Sequence, residues 1–95
     1  MNDVDALTLR ILTPEGERPS AACDSVTVVA RDGADGEGGG SVGIRKGHLP
    51  AVIALEDGSA VKASSDGAPV AEYTVTGAFA SVRDNVVTVT AETAS

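Results

Sequence analysis

The sequence predicts an all-β domain, a flattened β-sandwich or barrel of about eight to ten short strands, and three observations carry that prediction. Apolar residues recur with period two while helical periodicity is nearly absent. Turn-forming clusters punctuate the chain at short intervals, leaving no room for a helix of three turns. Burial has to come from Val, Ala, Leu and Ile, because Phe79 and Tyr73 are the only aromatic residues among 95. A chain of this length, 42% hydrophobic, suits one domain over residues 1–95, with 1–5 and 93–95 as frayed ends. Small aliphatic side chains each bury less area than a Phe, so modest stability is expected.

The elements follow in order. Leu7, Leu9 and Ile11 alternate with Thr8 and Arg10, the pattern of a strand with one face in a core. Pro14, Glu15 and Gly16 turn the chain. Asp24 to Ala30 reads as a second strand, with Val26 and Val28 on one face and Thr27 and Val29 on the other. Gly33 to Gly40 holds five glycines beside Asp35 and Glu37. Glycine loses so much backbone entropy on ordering that this stretch is expected to be a mobile loop. Val42 to Ile44 is a short strand. Pro50 to Leu55 is apolar enough to be a strand buried on both sides or a short helical turn, and periodicity leaves both open. Asp57-Gly58 and Ser65-Asp66-Gly67 are turn signals around Ser59 to Ala63 and Val70 to Thr76, which read as a hairpin. Gly77 marks a bulge or a close backbone approach. Phe79 to Arg83 and Val86 to Thr90 flank Asp84-Asn85, residue types that tolerate left-handed geometry and favour a tight hairpin.

Charge restricts the partners. Fourteen acids against seven bases give a net charge of −7, scattered along the chain. Phosphate binding needs a basic stripe that releases counterions, so nucleic acid is a poor partner, and anionic lipid is disfavoured for the same reason. No apolar run approaches the roughly 20 residues of a spanning helix, and Met1-Asn2-Asp3-Val4-Asp5 lacks the basic and apolar regions of a signal peptide. The lone Cys23 excludes an internal disulfide and, with one His48, cannot complete a four-ligand zinc site. A reducing cytoplasmic setting fits.

Candidate chemistry is sparse. His48 sits in Gly47-His48-Leu49-Pro50, where glycine and proline fix a tight loop that presents the ring. Ser41 and Asp35 are near in sequence, but nothing positions a nucleophile, so a structural or interface histidine is the better reading than a catalytic one. The stretch Gly36 to Gly43 fails as a phosphate loop, since Ile44 follows Gly43 where lysine and Ser or Thr would be required. Asp32, Asp35 and Glu37 fail as a calcium loop, with Ala34 at a ligand position and no closing carboxylate. No catalytic, cofactor or metal site is expected. Arg45-Lys46 is the only adjacent basic pair and directly precedes Gly47. It reads as a solvated edge or as a steering patch for an acidic partner surface.

Three blocks in fixed order carry a family resemblance: Thr13-Pro14-Glu15-Gly16-Glu17, then Gly43-Ile44-Arg45-Lys46-Gly47-His48-Leu49-Pro50, then Thr76-Gly77-Ala78-Phe79 with Val87-Thr88-Val89-Thr90-Ala91-Glu92. Together, across residues 7 to 94, they resemble the amino-terminal β-sandwich of the epsilon subunit of F-type ATP synthase. The departures are Arg45-Lys46 in place of an apolar residue and proline, a longer glycine-rich loop, and Ser41 where an acid is common. The resemblance implies a non-catalytic rotor subunit of the central stalk, at the cytoplasmic face of a bacterial plasma membrane within a peripheral F1 complex. It would bind the gamma subunit and the c-ring and so couple ion translocation to ATP synthesis or hydrolysis. Thr13, Gly47, His48, Leu49 and Pro50 would face gamma. Ser41, Val42, Arg45 and Lys46 would face the ring. Full-length relatives carry a carboxy-terminal helical hairpin, which would begin where this sequence stops at Ser95, so the resemblance leaves open whether the chain is naturally short or truncated there. The alternative is a stand-alone β-sandwich adaptor that binds a partner protein through an exposed edge or loop.

Overall fold

The alternation at Leu7, Leu9 and Ile11 is realised as the first strand of a two-sheet sandwich in the computed structural model, which describes residues 7–31, 40–47 and 49–95. In chain order the strands are β1 (Leu7–Thr13), β2 (Gly16–Glu17), β3 (Ala21–Cys23), β4 (Ser25–Ala30), β5 (Gly40–Arg45), β6 (Ala51–Ala54), β7 (Ser59–Ser65), β8 (Ala68–Thr76), β9 (Phe79–Arg83), β10 (Val86–Thr90) and β11 (Thr93–Ala94). The first sheet runs β2-β1-β10-β9-β6, with β3 also pairing β1, and the second runs β11-β8-β7-β4-β5. The all-β sandwich predicted from sequence is therefore present.

The inward-facing residues of both sheets make one aliphatic core, including Leu7, Leu9, Ile11, Val26, Val28, Ile44, Val61, Val75, Val87 and Val89, each at most 1% exposed. Neither ring is fully buried: Tyr73 packs partly buried against the core, and Phe79 is on the outside. Both predicted hairpins form. Asp84 and Asn85 have φ of 51° and 65°, and Asp66 and Gly67 have 53° and 78°, the two left-handed residues of turns whose twist matches antiparallel strands.

Several expectations are corrected. Eleven strands are seen among the described residues, more than the eight to ten expected, because two-residue β2 and β11 and three-residue β3 are too short to carry a periodic signal. The ambiguous run from Pro50 to Leu55 is neither helical nor buried on both sides. It forms edge strand β6 with Val52 exposed, and Leu55 then bridges to Ala30 in the other sheet. Residues 93–95 are not frayed: β11 pairs β8, and Ser95 and Thr74 exchange backbone hydrogen bonds of 2.9 and 2.8 Å. Gly40 belongs to β5. The expected loop over 33–39 and the expected fraying of 1–5 lie outside the described residues. Gly77, with φ of +62°, is a close approach, but of a side chain: a Cβ there would lie 2.7 Å from Glu92 Cδ.

Candidate functional site

Where β5 ends at Arg45, the chain turns through Lys46 and Gly47. Gly47 has φ of 82°, a region that suits glycine. Its N–H donates to Asn85 Oδ1 at 2.8 Å. Asn85 is the second residue of the β9–β10 turn, so this bond clasps the end of one sheet to a hairpin tip of the other. Arg45, Lys46, Gly47, Leu49 and Pro50 are thereby gathered beside Arg83 and Asp84, all exposed. Leu49 is 78% exposed, an apolar side chain displayed at the tip. Arg83 and Asp84 form only a long, exposed ion pair of 3.8 Å, which contributes little. His48 lies outside the described residues.

Thr13 is at the opposite end. The N–H of Thr8 donates to the Asn85 carbonyl at 2.9 Å, which fixes the start of β1 beside the Gly47 clasp. Seven residues of extended chain, about 20 Å, then separate that end from Thr13. There the Thr13 hydroxyl donates to the Gly16 carbonyl at 3.0 Å and accepts from the Glu15 N–H at 3.2 Å, setting the β1–β2 turn. Ser41 and Val42 are likewise remote from Arg45, for Ser41 pairs Val29 whereas Arg45 pairs Ser25. The structure thus brings Arg45 and Lys46 together with Gly47, Leu49 and Pro50, and does not bring Thr13, Ser41 or Val42 to them.

The outer face of the first sheet has its own character. Strands β1, β6, β9 and β10 carry Arg10 and Arg83 and no acidic residue, in a chain of net charge −7. On that face Val52 is 72% and Phe79 45% exposed. Arg10 Nε donates to Glu17 Oε2 at 2.9 Å, a bond that raises the guanidinium pKa and lowers that of the carboxyl. Among the described residues no three His, Cys, Asp or Glu side chains are grouped to hold a metal ion. Cys23 is buried, its Sγ donating to the Leu7 carbonyl at 3.6 Å. Burial, then the charge of Asp24, pushes this thiol up, against a smaller opposing backbone bond from Ser25. Sequence reasoning missed Asn85, whose partner is 38 residues away. It also missed the exposure of Val52 and Phe79, which requires knowing that β6 is an edge.

Turns displayed at the ends of the sheets, and an outer face with exposed Val52 and Phe79, belong to a two-sheet β-sandwich. The sequence matches the family described as ATP synthase, Delta/Epsilon chain, beta-sandwich domain, over residues 6–95, and the chain belongs to that family. No curated protein matches it in sequence. Among solved structures it is similar to a chain in the cryo-EM structure of the Euglena gracilis mitochondrial ATP synthase, OSCP/F1/c-ring in rotational state 1, with a TM-score of 0.75 and 20% identity. That match covers 96% of this chain and 53% of the other, so this chain spans about half the length of its structural relative. At that identity the likeness is one of fold.

Proposed function

We propose that the chain is the β-sandwich portion of a non-catalytic central-stalk rotor subunit of an F-type ATP synthase, holding the gamma subunit to the c-ring. The observation that carries this reading is the family match, which runs through the whole sandwich from residue 6 to 95. The geometry adds support. A partner that touches both Thr13 and the Gly47 turn has to lie along the sandwich for the length of β1, as an elongated shaft would. The outer face of the first sheet offers such a partner exposed Val52 and Phe79 with no carboxylate to desolvate on its four main strands.

Within this reading the contact surfaces are regrouped by position. Arg45, Lys46, Gly47, Leu49 and Pro50 act as one patch. Thr13 makes a separate contact with gamma at the other end, and Ser41 and Val42 make one with the ring. The site of action is the cytoplasmic face of a bacterial plasma membrane, reached through the ring, since no helix among the described residues is long and apolar enough to cross a membrane. The test is co-migration of the purified chain with gamma and the c-ring in gel filtration. A stable complex is expected, and L49D, a change confined to an exposed side chain, is expected to weaken it at least tenfold. A chain that elutes alone would overturn the assignment.

A further inference from the structure

At the end of the sandwich remote from the Gly47 clasp, an open cleft of about 300 Å³ separates the β1–β2 turn from the end of β10. Leu12, Pro14 and Ala91 line it, and Glu92 stands at its lip. The Ala91 N–H donates to the Leu12 carbonyl at 2.9 Å, which fixes the floor, and the Thr13–Gly16 hydrogen bond holds Pro14 in place. Glu92 is fixed by its own N–H, which donates to the Thr76 carbonyl at 3.0 Å. Its side chain lies flat across Gly77, where any Cβ would come within 2.7 Å of it.

The charge of Glu92 is left without a partner among the described residues. No guanidinium pairs with it: Arg10 pairs with Glu17 and Arg31 with Asp57, and Arg18 gives its Nη2 to the Ala94 carbonyl while its buried Nε has no partner. Apolar walls that end on an unneutralised carboxylate, in a chain of net charge −7, complement one kind of group, an aliphatic stem with a cationic head. The surface continues beyond the cleft, because Leu12 and Phe79 both pair with Thr90 on the outer face and Phe79 is 45% exposed. We infer that this cleft receives a lysine or arginine side chain of the partner subunit, with its methylenes on Leu12, Pro14 and Ala91 and its charge on Glu92. The inference rests on the assembly role proposed above and names the chemistry of the partner at this end.

The test titrates the ¹⁵N-labelled chain with n-hexylammonium, with hexan-1-ol and hexanoate as parallel probes. The ammonium is expected to shift the amides of Leu12, Ala91 and Glu92 to saturation, the alcohol more weakly, and the carboxylate not at all. E92Q, which keeps the volume, is expected to weaken ammonium binding about threefold, the scale of one exposed ion pair. Equal response to ammonium and alcohol, or none to either, would overturn the inference. In the co-migration assay E92K is expected to weaken the complex about tenfold. An undiminished E92K complex would sink this inference and leave the rotor assignment standing, whereas a wild-type chain that never co-migrates would sink both.

Discussion

Asn85 does two things at once, and two substitutions separate them. Its φ of 65° lies where a residue with a Cβ is disfavoured by roughly 1–2 kcal/mol, and its side chain clasps Gly47. N85A loses the clasp and keeps the Cβ that the wild type already carries in the turn, so a destabilisation of about 1 kcal/mol is expected from the lost hydrogen bond. N85G loses the clasp but relieves the backbone, so the two terms offset and stability is expected to stay within about 1 kcal/mol of the wild type, above that of N85A. Urea unfolding checks the difference, and faster exchange of the Gly47 amide in both variants would tie the common part to the clasp. Cys23 makes a second residue-scale test. The fold favours its neutral thiol, so the folded-state pKa lies above the unfolded one. Its contribution is complete below the ordinary thiol pKa, about 8.5, and is lost as pH rises past that value through the raised one. Between pH 7 and 10 the urea midpoint is expected to fall more in the wild type than in C23A. Parallel curves for the two proteins would show that this thiol carries none of the alkaline loss.

At the scale of elements, what could be read from the sequence was local. Leu7-Leu9-Ile11, Val26-Val28 and Val87-Val89 alternate, Val42 to Ile44 is a short apolar run, and Asp66-Gly67 and Asp84-Asn85 are turn residues, so seven strands and two hairpins are legible in the sequence. Pairings between distant segments left no such mark. Strand β1 runs parallel to β10, Thr8 beside Val86 through Leu12 beside Thr90, a register that needs nearly the whole chain as its connection. Strand β11 was unreadable for a related reason, since two residues cannot show a period and its order comes from partners elsewhere. One of these partners is Arg18, whose Nη2 donates to the Ala94 carbonyl at 2.6 Å and so ties the last strand to the opposite sheet. R18A is expected to release that end. Amide exchange at Ser95 and Thr74 should rise roughly tenfold, about 1.4 kcal/mol of local opening, with a smaller effect on global unfolding. Unchanged exchange at both amides would mean that the β8 ladder alone holds the strand.

Over the whole molecule, charge is sorted by position. Among the strands only β2 and β8 carry an acidic residue, Glu17 and Glu72, while turns and connections hold Glu15, Asp24, Glu56, Asp57, Asp66, Asp84 and Glu92. The candidate contact surfaces were half legible for this reason. The Arg45-Lys46-Gly47 sequence announces a basic turn, but its clasp to Asn85, its distance from Thr13 and the cleft beneath Glu92 arise only when both sheets close. The same sorting decides how salt acts. Ion pairs among the described residues are Arg10–Glu17 at 2.9 Å and two of 3.8 Å, Arg31–Asp57 and Arg83–Asp84, all exposed. Exposed pairs contribute little, whereas the excess of fourteen acids over seven bases repels itself throughout the folded state. Screening should therefore relieve more repulsion than it removes attraction. The thermal midpoint at pH 7 is expected to rise by about 2–4 °C between 20 and 300 mM NaCl, as the Debye length shrinks from about 20 to 6 Å. Near pH 5, where the net charge is smaller, the rise should shrink. The Arg10–Glu17 pair sets the lower bound of that comparison: its lowered carboxyl pKa supports the fold above the ordinary carboxylate range and is lost as pH falls through the lowered value. A midpoint that falls with salt at pH 7 would mean that ion pairs, and not the surplus of carboxylates, govern the electrostatics of this sandwich.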